Sequence, residues 1–530
     1  MLFTSYEFIG FITVLFILFY AIPKRFQWIL LLAGSYIFYY LARPVYVAYI
    51  FTTTLVVYLV ALKLDQKRAF QEAYLKEHKD ELTKEEKKAF KAKEKKSRFH
   101  WMLLGLLVGL GILAVIKYTN FTISNINGIL SAFGSSATLS FVDIVVPMGI
   151  SFYTFQAIGY LIDVHRGTIK AQRNFFKFAL FVSFFPQLVQ GPISRYQDLS
   201  ETLYKEHKFD SKMFTFGLER ILWGFFKKLV IADRMLIGVN ALIKDADTYK
   251  GAYVFVGMLF YALELYCDFT GGIDITIGVA QCLGVNVTEN FMRPFFSKNI
   301  KEYWNRWHIT MGSWFTDYIF YPITVCGPML KISKWSRNHL GETIGKRVPI
   351  YLSSFVVWFT TGIWHGASWN FIVWGLGNFV VIMISQEFEP LYHRFHNKFH
   401  LENNRPYQGF QVIRTVLLMS CLRTFDCYRD VPLTFKMFGT MFTEGNYNVI
   451  FDGSLLNIGL KISDFIILFI GVIILFMVSM FQRKESVREQ IYRISYPLKV
   501  CIWFGLFLMV IIFGIYGIGY DATQFIYNQF

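Results

Sequence analysis

The sequence predicts an all-α integral membrane protein that crosses the bilayer many times. Composition is the first reason. Of 530 residues, 54% are hydrophobic and only 17% charged, too little polar surface to cover a soluble core of this size. The second is the recurrence of runs such as 465–481 and 500–518, since a membrane helix takes ~17–25 apolar residues. The third is that residues 349–385 hold no Asp, Glu, Lys or Arg. A closed β-barrel would show short alternating segments instead, and none occur. About eleven to thirteen hydrophobic helices are expected, some re-entrant or broken, around a central polar cavity or tunnel.

Taken in order, the first three runs are 8–22, 26–42 and 45–62. The opening "MLFTSYEF" lacks the basic region of a cleavable signal peptide, so the first run is expected to be a retained helix. Residues 63–98 then carry 13 Lys/Arg and 8 Asp/Glu, with opposite charges four apart such as Glu72–Lys76. That pattern predicts a solvated helical insertion, either a plain charged loop or a docking element. Excess Lys and Arg stay on the cytoplasmic side. With 63–98 inside, the link 23–27 ("PKRFQ") is inside too and the N-terminus outside. The basic link 482–499 is read as inside, which puts Phe530 outside after an even number of crossings. The chain therefore divides into N-terminal membrane helices (1–62), a charged cytoplasmic insertion (63–100), a core (101–442) and C-terminal membrane helices (443–530).

Between 141 and 390 the apolar runs are mixed with Gly, Pro, Arg, Asp and Trp. At membrane depth such residues are tolerated where they face protein or a water-filled cavity. The net charge of +16 sits mostly in short links, as in loops facing anionic lipid, with no long basic face for nucleic acid. Cys267, Cys282, Cys326, Cys421, Cys427 and Cys501 include no C-x-x-C and read as free apolar residues; no metal site is expected. No repeat of 20–50 residues and no inverted halves appear.

The chemistry concentrates in two stretches. In "TTGIWHGASWNFIVWG" (360–375), His365 interrupts the uncharged run, flanked by Trp364, Trp369 and Trp374 and followed by small residues. A desolvated, neutral imidazole can accept a proton; equally, it can be a structural histidine bonded between helices. In "FFSKNIKEYWNRWHITMGSWFTDYIFYP" (295–322), His308 lies close to Trp304, Arg306 and Trp307. Guanidinium and indole suit a phosphate-bearing donor at a cavity mouth, and equally an amphipathic interface helix.

Together, "RWHIT" and, some fifty residues later, "WHGASWNFIVWG" resemble the membrane-bound O-acyltransferase (MBOAT) family. The likeness is to its bacterial branch, typified by the alginate O-acetyltransferase membrane subunit. "VPMGISFYTFQAIGYLIDVHRG" (146–167), "FFPQLVQGPISR" (184–195), "GLERILWGFFKKLVIAD" (217–233), "YCDFTGGIDITIGVAQCLG" (266–284) and "ENFMRPFFSKNIKEYWNRWH" (289–308) continue it in order. The insertion at 63–98 is longer than the family pattern, and "SCLRTFDCYRD" (420–430) matches it at Arg423 alone.

The resemblance implies a polytopic MBOAT-type fold with its catalytic core in 101–442. It makes His365 the catalytic histidine and His308 the second important polar position, orienting the donor or stabilising the oxyanion. Trp304, Arg306, Trp307, Asn370, Asp268 and Gln187 are the candidates to bind substrate or shape the cavity. It further implies acyl transfer, of acetyl above all, from a cytoplasmic acyl-CoA or acyl carrier protein thioester, with no bound cofactor. The acceptor would be a hydroxyl of an exported polysaccharide, reached through an exported serine-hydrolase-like partner, with the chain itself in the cell membrane. Alternatives are D-alanyl transfer to teichoic acid, a proton-coupled transporter relaying through His365 and Asp268, and a membrane scaffold.

Overall fold

The structure is a computed structural model that describes residues 3–517. All regular structure among them is helical; an isolated β-bridge joins Phe291 to Trp307. Six described helices are long and apolar enough to cross a membrane, and Tyr6–Ala21 is a shorter apolar one. Helices are more numerous and shorter than the eleven to thirteen predicted, because several apolar runs break. The uncharged run 349–385 is two helices rather than one, and 295–322 is a chain of short turns rather than one amphipathic helix. Phe530 lies outside the described residues.

Two compact units form. The first comprises residues up to Phe214 together with Val279–Thr288. It contains α1 (Tyr6–Ala21), α2 (Gln27–Ala42), α3 (Pro44–Glu77), α4 (Lys84–Ala132) and α5 (Ile150–Arg166). Serine at the cap of α1 accepts from Phe8 N–H, and Pro23 and Pro44 mark where the first two helices stop. The charged insertion is helical, as predicted, but it is not a separate element. It extends α3 and α4, which at 1.5 Å per residue reach roughly 50 and 70 Å, well beyond a ~30 Å hydrocarbon layer. The turn at 78–83 is closed by a capping box between Thr83 and Glu86. Along the hairpin Arg98 donates to Gln71 at 2.7 Å and the Tyr74 and Phe90 rings meet at 4.4 Å. Those contacts hold the two charged arms together, and the largely buried ion pair Lys67–Glu94 at 3.6 Å joins them.

The second unit comprises Thr215–Gly278 and Glu289 onward. Its helices used below are α6 (Ser211–Phe225), α7 (Ala252–Cys282), α8 (Ile309–Phe315), α9 (Arg347–His365), α10 (Trp369–Glu387), α11 (Arg405–Tyr428), α12 (Ile462–Phe481) and α13 (Tyr496–Phe513). After α6 the helix widens into a π-turn over Phe226–Ala232. Widening re-aims side chains, and such turns recur at functional sites. Here it packs Phe226, Val230 and Ile231 into a core with Cys267, Leu468 and Leu475 while burying Lys227 and Lys228.

Candidate active site

His365 is the last residue of α9. The helix ends there because Gly366 is extended, and Trp369 starts α10 three residues later. The two helices fold back on each other at glycine contacts. A Cβ on Gly362 would lie 2.6 Å from the Phe371 carbonyl oxygen, and one on Gly375 would lie 2.5 Å from that of Trp358. The small residues of "GIWHGASWNFIVWG" therefore set a close backbone approach that no larger side chain permits. The hairpin leaves the His365 ring 5% exposed in an aromatic box. Trp374 and Trp364 meet it edge-on at 4.7 and 5.0 Å, and Phe371 lies parallel at 6.4 Å. The rings fix the imidazole plane by packing.

His308 sits in a turn of left-handed backbone, φ 49°, ahead of α8. The turn is held because 290–292 pairs with 306–309: Met292 N–H donates to Arg306 O and Ile309 N–H to Asn290 O, both at 2.9 Å. Asn290 Oδ1 accepts from the Thr310 backbone at 3.0 Å and its hydroxyl at 2.9 Å, and lies 3.3 Å from His308 Nδ1. A backbone N–H can only donate, so that amide oxygen is assigned without ambiguity, and it calls for a proton on Nδ1. Nε2 is then the basic nitrogen. Burial first, and the Arg423 guanidinium second, push the pKa of this ring well down, so it is neutral at physiological pH. Trp364 lies between the two histidines, 6.0 Å from His308 and 5.0 Å from His365.

Arg423, on α11, ties the two motifs together. Its guanidinium lies 4.5 Å from the Trp374 ring, 5.2 Å from Trp307 and 5.9 Å from Trp304. It donates to Asp426 at 3.0 Å, and both side chains are buried. Arg423 Nε and Asp426 Oδ1 have no hydrogen-bond partner among the described residues. The sequence singled out Arg423 only as a matching position; an Arg with Asp three residues on, in a helix otherwise apolar around it, was the available signal of a buried pair.

The other predicted residues divide. Trp304 donates to Asn378 at 3.2 Å and Trp307 stacks on Tyr303, so both belong to the aromatic cluster. Asn370 donates to the Phe425 carbonyl at 3.3 Å and joins the hairpin to α11. Arg306 turns away, paired with Glu302 at 2.5 Å. Gln187 lies in the first unit, bonded to Gln156 at 3.1 Å and Ser194 at 2.5 Å. Asp268 is fully buried and paired with Lys228 at 2.5 Å; Lys228 also meets Asp233 at 2.8 Å. Asp268 adjoins Phe269, whose ring faces His308 at 5.0 Å. Lys228→Met would leave Asp233 and Asp268 without their buried cation, at a cost of ~3–5 kcal/mol. The expected result is a marked fall in the melting temperature of the detergent-solubilised protein, with Lys228→Arg falling less.

The chain is similar, at 31% identity over 82% of its length and 73% of the relative's, to a probable alginate O-acetylase of Pseudomonas syringae pv. tomato. The family model described as "MBOAT, membrane-bound O-acyltransferase family" matches residues 169–427, which include both histidines and Arg423. The chain belongs to the membrane-bound O-acyltransferase family. It is a multi-pass membrane O-acyltransferase. It is also similar to a peptidoglycan O-acetyltransferase of Helicobacter pylori, 28% identical over 56% of this chain and 57% of that one. A teichoic acid D-alanyltransferase of Bacillus subtilis is 28% identical over 46% and 59%. In this O-acyltransferase the matched segment ends at residue 427, just beyond the Arg423–Asp426 pair, so the aromatic cluster and both imidazoles lie inside it.

Proposed function

We propose that this O-acyltransferase moves an acetyl group from a cytoplasmic thioester, acyl-CoA or an acyl carrier protein, toward a hydroxyl of an exported cell-surface polysaccharide. The observation that carries this reading is the His365 ring, clamped by aromatic edges at the closed end of the α9–α10 hairpin and one indole away from His308. His365 takes the proton of the attacking hydroxyl as its oxygen bonds to the thioester carbonyl carbon. The carbon–sulfur bond then breaks, and the thiolate leaves and is protonated. The thioester is already activated, so a positioned base and a held geometry are the main needs. His308 orients the donor. With its proton committed to Asn290 on Nδ1, its Nε2 accepts hydrogen bonds, which suits a donor N–H better than an oxyanion.

The alginate and peptidoglycan O-acetylating relatives support acetyl and a polysaccharide acceptor. The teichoic acid relative supports a second reading, D-alanyl transfer, at lower coverage of this chain. The buried Lys228 beside Asp268 occupies the carboxylate a proton-relay transporter would need. We further propose that both termini lie outside and that an exported serine-hydrolase-like acyltransferase receives the group. The test incubates membranes holding the protein with labelled acetyl-CoA and, separately, with labelled D-alanyl carrier protein. Label from acetyl-CoA on an exported serine protein or glycan is expected. An acetyl-loaded carrier protein is tested in parallel; label from the D-alanyl donor alone rejects the acetyl assignment, and label from none of the three rejects both.

A further inference from the structure

Apart from the histidines, the second unit contains a cavity of about 610 Å³, within the ~300–1,000 Å³ of small-molecule sites. One wall is apolar, formed by Leu475 and Val478 of α12 and Leu506 and Met509 of α13. These two helices are the least buried of the candidate membrane spans, with 17% and 6% of their most apolar stretches covered by protein, so they face lipid. The opposite wall is charged. Four of its seven charged side chains neutralise one another: Arg220 meets Asp274 at 2.8 Å and Glu289 through both oxygens at 2.5 and 2.6 Å, and Lys227 meets Asp274 at 2.5 Å. Glu219, Arg293 and Arg488, the last also donating to the Phe216 carbonyl at 2.8 Å, give the lining an excess of one positive charge.

Polar atoms in this lining are poorly satisfied. Arg293 Nε and Trp503 Nε1 are buried donors with no partner among the described residues, and Glu219 Oε2 is a buried acceptor in the same condition. Arg293 is held in left-handed backbone, φ 52°, a conformation uncommon for a residue with a side chain. Unsatisfied donors and a surplus cation, in a cavity whose apolar side chains come from the two helices most exposed to lipid, match one ligand chemistry: an anionic phosphate ester carrying an alkyl chain.

We propose that this cavity binds an anionic phospholipid of the surrounding bilayer, with its phosphate on Arg293 and Arg488 and a chain between α12 and α13. A phosphate-bearing acyl donor shares the phosphate chemistry, but the apolar wall is built from the two helices that face the bilayer. The proposal rests on no part of the acyl-transfer reading, and its failure would leave that reading untouched.

The test uses the full chain purified in detergent, with retained lipid identified by mass spectrometry. Two variants decide it. One is Arg293→Gln combined with Arg488→Gln. The other is Gly505→Leu, which fills the cavity where an added Cβ meets nothing within 4 Å and leaves every polar contact in place. Retained phosphatidylglycerol is expected to fall several-fold in both. Vesicles of phosphatidylglycerol should raise the melting temperature of the delipidated wild-type protein and not that of Gly505→Leu, whereas phosphatidylcholine vesicles and inorganic phosphate should not, and any shift from coenzyme A bound as donor should persist in Gly505→Leu. If the double variant fails to fold, Gly505→Leu alone decides. Wild-type lipid content in folded Gly505→Leu overturns the proposal. So does a thermal shift from coenzyme A or phosphate that Gly505→Leu removes.

Discussion

His365→Ala abolishes detectable acyl transfer while the protein still inserts and folds: that is the expected result with the largest effect on activity. General-base catalysis contributes ~10²–10⁴-fold, and no second imidazole in the site can replace the lost one. His308 is committed through Nδ1 to Asn290 and lies on the far side of Trp364. The variant loses edge contacts to Trp364 and Trp374, worth ~0.5–1.5 kcal/mol each, while the glycine contacts that close the α9–α10 hairpin are untouched. Transfer rate and melting temperature, measured on one preparation, separate the two effects.

The second large effect belongs to Arg423. Arg423→Met leaves Asp426 buried and uncompensated, at ~3–5 kcal/mol, and removes the plate that Trp304, Trp307 and Trp374 surround. Both stability and transfer are expected to fall. The double variant Arg423→Met with Asp426→Leu removes both charges, and apolar replacement of a buried pair is often neutral or stabilising. It is expected to regain stability without regaining transfer, because the aromatic cluster that bridges the two histidine motifs stays unsupported. Recovery of both would make Arg423 a structural cation only. Arg423→Lys keeps the charge but not the planar stack, and an intermediate rate is expected.

Much of this was legible in the residues, and what was not has a physical reason. Both histidines and their tryptophans stand out because titratable groups are costly in an apolar run, and the structure brings them around one indole. The break at Gly366 was harder to read. Hydropathy does not register a helix end inside an uncharged stretch, and only the glycines at 362, 366 and 375 announce the fold-back. The charged insertion was readable as helix from its charge spacing. Its continuity with α3 and α4 was not, since a membrane boundary falls inside each helix without interrupting it. Asp268 drew attention as a carboxylate at membrane depth, yet its partner Lys228 is forty residues away and is turned inward by a π-turn that no periodicity rule anticipates. Arg306 looked like a donor-binding cation beside His308. The tight turn at His308 points it instead toward Glu302.

The base role of His365 is tested most directly by chemical rescue. Label transfer from acetyl-CoA is measured for wild type and His365→Ala at matched amounts of folded protein, with and without added imidazole. The account predicts no detectable transfer by the variant alone and partial recovery with imidazole. Near-wild-type transfer by the variant without imidazole would contradict it.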